Sequence, residues 1–323
     1  MNYSNKKALS YLIKAGILIL AFVFIYRRLN DNEKLKNFEH LISNIDHTQA
    51  TVVMGLVFLL MFVNWVLEAA KWTYLARPLT PITLWQATEA VFCGLTWAVF
   101  TPNRIGEYGG RVMFLPQRKR IHGVFAMAVG AFGQNVITNV LGAGSLVWFI
   151  GTFLHINPWL YAGFTVLAVI FMALMITFYF HIGWMVTLLN RVKFLQKFHR
   201  FFDIMGRYTF AELAQIMGYS LSRFAVFTFQ YYLVIHLLIP AIPMYDVFFM
   251  VFILLFIQSA LPSLDLLDIG VRNYTAGTLF AYVTTQSIAV MAAVTSIWLI
   301  NLIIPAILGS VFVFKLKFFD NNL

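Results

Sequence analysis

Apolar residues run in long stretches along this chain, with polar residues gathered in short intervals between them. Six stretches, at 8–26, 49–70, 121–151, 159–183, 209–239 and 288–314, are apolar enough to be read as full crossings. A helix of roughly 20 residues suffices to span a hydrocarbon core of about 30 Å. Two more, 82–115 and 244–285, are interrupted midway by proline, glycine and charge. The first break reads Thr101-Pro102-Asn103-Arg104-Ile105-Gly106-Glu107, and the second runs from Leu261-Pro262 to Ile269-Gly270-Val271-Arg272. A broken helix frees backbone groups that lipid cannot satisfy, so it is tolerated at membrane depth only inside protein or beside water. Both regions are therefore expected to be re-entrant helical hairpins that enter and leave on one side. The fold class that follows is an all-α polytopic membrane protein, with about six transmembrane helices plus two re-entrant broken-helix hairpins.

Composition agrees with that pattern. Of 323 residues 61% are hydrophobic and 11% charged, with a mean hydropathy of +0.79. Soluble domains carry roughly a quarter charged residues. No stretch is long enough for a separate soluble domain, so 1–323 reads as a single integral membrane domain. The net charge of +10 does not imply nucleic acid, because the basic residues lie in short loops and form no stripe. With the N-terminus inside, fourteen lysines and arginines fall in cytoplasmic loops, Lys71, Arg77, Arg118, Lys119 and Arg120 among them. Only Arg27, Arg28, Lys34 and Lys36 fall outside. That bias predicts cytoplasmic N- and C-termini, and full-crossing hairpins would reverse it at Arg118-Lys119-Arg120. The first apolar stretch follows Lys6 and Lys7 and lacks a small-residue cleavage site, so it reads as a retained signal anchor. Cys93 stands alone and the histidines lack ligand spacing, so no metal or cofactor is expected.

The two breaks resemble each other. Pro102 and Pro262 stand 160 residues apart, and each is followed by Ile-Gly and an arginine, Arg111 or Arg272. Three crossings separate the hairpins, so the first enters from the cytoplasm and the second from outside. The halves, about 49–151 and 209–314, then form an inverted repeat. Inverted repeats with broken helices place free backbone ends at mid-membrane, where a polar solute needs them. Two kinked helices packed for structural reasons alone would give the same string.

The run from Pro102 to Arg111 looks like the P-x-R-x-G-E signature of the lysyl-phosphatidylglycerol synthase/flippase transmembrane-domain family, which also has stand-alone members. Gly270-Val271-Arg272 resembles that family's second signature, Gly-Val-Arg-Glu, with Asn273 in place of the acidic residue. The resemblance implies a flippase-like domain that translocates a lipid with a polar head group, and residence in a bacterial cytoplasmic membrane. In fused members aminoacyl transfer belongs to a separate soluble domain.

Charges inside a membrane cost a few kcal/mol or more each, so each needs a partner or a purpose. Arg104, Glu107 and Arg111 cluster at the first break, and Asp265, Asp268 and Arg272 at the second. Arg223 lies mid-way along 209–239. The four arginines are expected to line a cavity for a phosphate-bearing head group, because the guanidinium fork pairs bidentately with phosphate oxygens. Glu107, Asp265 and Asp268 would hold those arginines when the site is empty, or bind an amine on the lipid. An internal salt-bridge set fixing the broken helices is the structural alternative, and Arg223 could pair with Glu68 or Glu89. Gln134, Asn135 and Asn139 are supporting polar residues, with interhelical hydrogen bonding as their plainer use. Glu68 and Lys71 are expected to form a solvated pair at a helix end. The expected partners are membrane lipids, anionic or phosphate-bearing, and no nucleic acid, with a homo-oligomer left open.

A membrane-embedded lipid-modifying transferase, with Glu107 or Asp265 as general base, is the rival reading. It lacks a nucleotide loop, an Asp-x-Asp motif and room for a water-soluble donor. A non-transporting envelope-assembly partner is a third. Neither rival needs symmetry across the bilayer, so the sequence favours transport without a catalytic residue.

Overall fold

In the computed structural model the described residues of the apolar runs are helical. The structure describes residues 43, 46–101, 104–191, 204–260 and 269–313. The expected first crossing at 8–26, the tip residues Pro102, Asn103 and Pro262, and the candidate site residues Asp265 and Asp268 lie outside them.

Helix α1, His47–Ala76, opens on Asp46, whose carboxylate accepts from Thr48 N at 3.2 Å. Its 30 residues span about 45 Å at about 1.5 Å per residue, well beyond the run read from hydropathy. The chain then forms α2, Leu84–Ala98, and α3, Ile105–Val112. Thr83 and Gln86 close a reciprocal capping box at the start of α2, at 3.2 and 2.9 Å. Helix α4, Arg120–Phe153, follows, then α5, Pro158–Phe180, with proline in its first turn and Asn157 as cap. After α6, Ile182–Arg191, come α7, Phe210–Leu238, α8, Met244–Ala260, and α9, Ile269–Phe280. The last span, Ser287–Val313, is α10, Ser287–Trp298, a π-helical turn over Leu299–Ile303, and α11, Ile304–Val313. Pro305 stands just past that turn and lacks the N–H that an α-helical ladder requires, which accounts for the widened turn before it. Among the described residues, five spans are long and apolar enough to cross a membrane, and α8 is a shorter apolar helix. The chain is an all-α polytopic membrane protein.

In each broken region the two flanking helices lie against each other. In the first, α2 and α3 are antiparallel: Gly110 meets Gly94, and Gly106 meets Trp97. A Cβ on Gly110 would come within 2.6 Å of the Gly94 Cα, and one on Gly106 within 2.4 Å of the Trp97 carbonyl oxygen. Glycine is needed at both because backbone is the neighbour. The Thr101 hydroxyl fastens the turn, accepting from Gly106 N at 2.7 Å and donating to Trp97 O at 3.2 Å. In the second, Phe249 packs on Trp148 and Tyr282 on Phe149, with ring centroids 4.8 and 4.9 Å apart. Both ends of that hairpin therefore sit at the C-terminal end of α4. The first hairpin closes on the other end of the same helix, where Leu115 and Val112 abut Gly123 and Arg120 Nε donates to Leu115 O at 3.3 Å.

The halves interlock in matching ways. Helix α2 packs on the last span, where the Thr96 hydroxyl donates to Ala306 O at 2.8 Å and Gly309 lies against Phe92. Helix α8 packs on α4, where Gly142 lies against Phe252 and Phe256. Phe92 and Phe252, Thr96 and Phe256, and the starts of α2 and α8 at Leu84 and Met244 are all 160 residues apart. The two prolines at the breaks show the same offset. Helices α1 and α7 pack against each other between the halves. Helix α5 lies on the periphery, with Tyr179 its one buried residue. It is apolar all round, as suits a helix bathed in lipid.

Candidate functional site

A cavity of about 410 Å³ is lined by α3, the end of α8, the start of α9, the second half of α1 and the middles of α4 and α7. On α1, Asn64, Glu68 and Lys71 follow one another at i, i+4 and i+7, which aligns them on one face of the helix. Arg223 sits about 20 Å into α7 and Gln134 about 21 Å into α4 at about 1.5 Å per residue. Both residues line the cavity.

Glu68 is the hub. Its carboxylate accepts from Lys71 Nζ at 2.8 Å, from Arg111 Nη1 at 2.6 Å and from Arg223. Glu68, Lys71 and Arg111 are 4%, 2% and 3% exposed. Arg223 also donates from Nε to Asn64 Oδ1 and from Nη1 to Gln134 Oε1, both at 2.9 Å, and its guanidinium lies 5.0 Å from the Trp65 ring centre. Gln134 Oε1 accepts from Lys71 Nζ as well, at 3.3 Å. A second carboxylate, Glu107, accepts from Arg111 and from Arg104 Nε at 3.0 Å. Arg111 thus bridges the two carboxylates and ties the first hairpin to α1. At the second hairpin Arg272 donates to Gln258 Oε1 at 3.2 Å.

Arg104 departs from ordinary backbone. Its φ is 57°, in the left-handed region that disfavours a side-chain-bearing residue by about 1–2 kcal/mol. Such strain persists where the surroundings fix it, and it accumulates at functional sites. Here it turns the chain into α3 and leaves the Arg104 side chain 37% exposed.

The cavity brings together Arg104, Glu107, Arg111, Arg223, Arg272, Gln134 and Asn135. Of the two carboxylates considered for Arg223, Glu68 is its partner. Asn139 does not line the cavity, and its Nδ2 donates to Asn135 O at 2.7 Å on the same helix.

One expectation is corrected. Glu68 and Lys71 are not a solvated pair at a helix end, and Lys71 is no loop charge. The helix continues through Trp72–Ala76 and carries both residues into the core. Sequence reading also missed Asn64, Gln258 and Asn301. The usable signal for the first was the polar i, i+4, i+7 series on an otherwise apolar helix.

Over the described lining residues, five cations (Lys71, Arg104, Arg111, Arg223, Arg272) face two carboxylates (Glu68, Glu107), an excess of three positive charges. No group of three potential metal ligands is found among the described residues. The walls between the charges are apolar, with Trp65, Met127, Phe224, Phe227 and Leu255 among them.

Fold and site together define a polytopic α-helical membrane protein with a cation-rich cavity between two helical hairpins. Residues 11–309 match the family model for the lysylphosphatidylglycerol synthase TM region, and the chain belongs to that family. No curated protein and no solved structure matches it.

Proposed function

We propose that this protein translocates a phosphate-bearing lipid across the cytoplasmic membrane, its head group held among the arginines at the two hairpin tips. The observation that carries the reading is the clustering of buried cations in the cavity: Glu68 is shared by three of them. Burying an ion costs several kcal/mol, so clustered cations are an arrangement an entering anion would stabilise. Arg104 and Arg272 stand at opposite hairpins and would meet the phosphate, while Arg111 and Arg223 stay anchored to Glu68. Glu107 would hold Arg104 in the empty site. Asp265 and Asp268, which precede α9 in the sequence, would do the same for Arg272.

The hairpins that close on opposite ends of α4, and the repeated offset of 160, support an inverted repeat of about 49–151 and 209–314 within one membrane domain. Such a pair is re-entrant from opposite sides and gives the cavity two equivalent routes to water and lipid. The loop charges favour cytoplasmic termini. The family's name links it to a lipid-modifying synthase, which supports a lipid substrate.

The test is reconstitution into proteoliposomes with fluorescent anionic and zwitterionic lipids, read as protein-dependent loss of inner-leaflet protection. Arg104→Ala, Arg272→Ala and Glu107→Gln are each expected to lower the rate at least tenfold while remaining folded. Wild-type protein that is folded and moves none of these lipids would refute the reading.

A further inference from the structure

Resting on that reading, we propose that the last span is a jointed lever. It bends at the π-helical turn Leu299–Ile303 and couples the two hairpins as the cavity changes sides.

Each half of the span holds a different hairpin. Helix α10 packs on α9, where Asn273 Nδ2 donates to Thr295 Oγ1 at 3.0 Å and the Thr295 hydroxyl donates back to Asn273 Oδ1 at 3.3 Å. Gly277 of α9 faces Met291 of α10. Helix α11 packs instead on α2, through the bond from Thr96 to Ala306 O and the contact of Gly309 with Phe92. A Cβ on Gly309 would lie 2.0 Å from the Phe92 carbonyl oxygen, so the two backbones touch there. The turn between the halves lies where the hairpins meet. Val99, at the end of α2, and Ile269, the first residue of α9, share one buried cluster with Trp298, Leu302, Ile303 and Ala306.

Helix α4 also touches both hairpins, but it is α-helical without a break over 34 residues and would act as a strut. The last span differs because Pro305 has no N–H for the ladder, and the turn before it closes i→i+5 bonds instead. Turns of this kind are frequent at functional sites, and each holds one residue more than an α turn. Exchange of a few local hydrogen bonds there re-aims the whole of α11 relative to α10. Asn301 sits within the turn. Its Nδ2 donates to Ile297 O at 3.2 Å, and its Oδ1 is buried with no partner among the described residues. That oxygen can accept from a backbone N–H that a rearranged turn releases, as side chains do at broken helices inside membranes. Ile297, Trp298, Asn301 and Leu302 line the cavity, so a bend at this turn alters the cavity wall directly.

The test is double electron–electron resonance on the full-length protein in nanodiscs, in a Cys93→Ala background. One pair of spin labels sits on Ile288→Cys and Val311→Cys, at the two ends of the last span. A reference pair sits on Ile121→Cys and Leu154→Cys, at the ends of α4, and all four positions are exposed. The last-span pair is expected to give two distance populations. Their proportions should differ between nanodiscs of phosphatidylcholine alone and nanodiscs that also hold phosphatidylglycerol. The α4 pair should give one population. Deleting Leu299 together with Pro305→Ala removes the extra residue and restores the ladder, so the last-span pair should collapse to a single population. That variant should also translocate at least tenfold more slowly in proteoliposomes. Pro305→Ala alone keeps the chain length and should shift the populations toward the straighter one. A single narrow population for the wild-type last span in both nanodiscs would overturn the joint, as would populations that Pro305→Ala leaves unmoved. A straightened variant that transports at the wild-type rate would overturn it too. Two populations in a wild type that moves no lipid would keep the joint and refute translocation instead.

Discussion

Replacing Glu68 with glutamine would leave Lys71, Arg111 and Arg223 crowded in the core around a neutral acceptor. Removing one partner of a buried ion pair costs about 3–5 kcal/mol, because the remaining charge stays uncompensated. Glu68→Gln is expected to destabilise by about that amount in denaturant unfolding of the micellar protein. Lys71→Met should cost less than half as much, since Glu68 retains two guanidiniums and Gln134 retains Arg223. Equal losses would mean that Lys71, and not the arginines, fixes the carboxylate. At this scale the sequence was informative wherever a charge stood beside a helix break: Arg104, Glu107, Arg111 and Arg272 could be picked out there, and Arg223 by its depth. Glu68 was hidden for a physical reason. Hydropathy ends a span at its first charges, whereas the helix continues for as long as its hydrogen bonds and packing are satisfied, and here both extend to Ala76.

Between elements, backbone proximity decides what the site can hold. Gly94 and Gly110 let α2 and α3 approach so closely that a methyl group on Gly110 would strike the facing Cα. Gly110→Ala must push the arms apart and carry the neighbouring Arg111 away from Glu68. Overpacking of this kind costs about 1–3 kcal/mol, and the variant is expected to lose translocation together with stability. Gly144 sits in α4 with nothing within 4 Å of an added Cβ. Gly144→Ala should therefore stabilise, by about 0.5–1 kcal/mol, and leave transport unchanged. Thermal unfolding of the two variants side by side checks the contrast, and similar melting temperatures would refute the close-packed hairpin. The hairpins were legible because Pro-Asn-Arg-Ile-Gly cannot continue a lipid-facing helix. The cross-half contacts of Gly142 and Gly309 were not, because a lone glycine in a helical run reveals nothing of the helix that will lie opposite. The π turn before Pro305 was equally silent, since proline marks a break in the ladder without fixing its form.

For the molecule as a whole, the decisive property is that the hairpins approach one cavity from opposite ends. The first closes near Gly123 and the second near Trp148–Phe149, on the same helix of 34 residues. At about 51 Å by helical rise, that helix exceeds a hydrocarbon core of about 30 Å, so its ends would lie on opposite faces of a membrane. Lys119 and Thr285 are exposed, and each adjoins the base of one hairpin. In a Cys93→Ala background, Thr285→Cys is expected to react with a membrane-impermeant maleimide in intact cells. Lys119→Cys should react only after permeabilisation, the outcome that the loop-charge bias favours. Labelling of both from one face would refute the inverted arrangement, and with it the argument that the cavity can be served from either leaflet. Labelling from the two faces in the reverse sense would keep the inversion and overturn only the orientation. The cation cluster in the cavity is indifferent to that orientation: an anion arriving from either leaflet meets the same Glu68-anchored arginines.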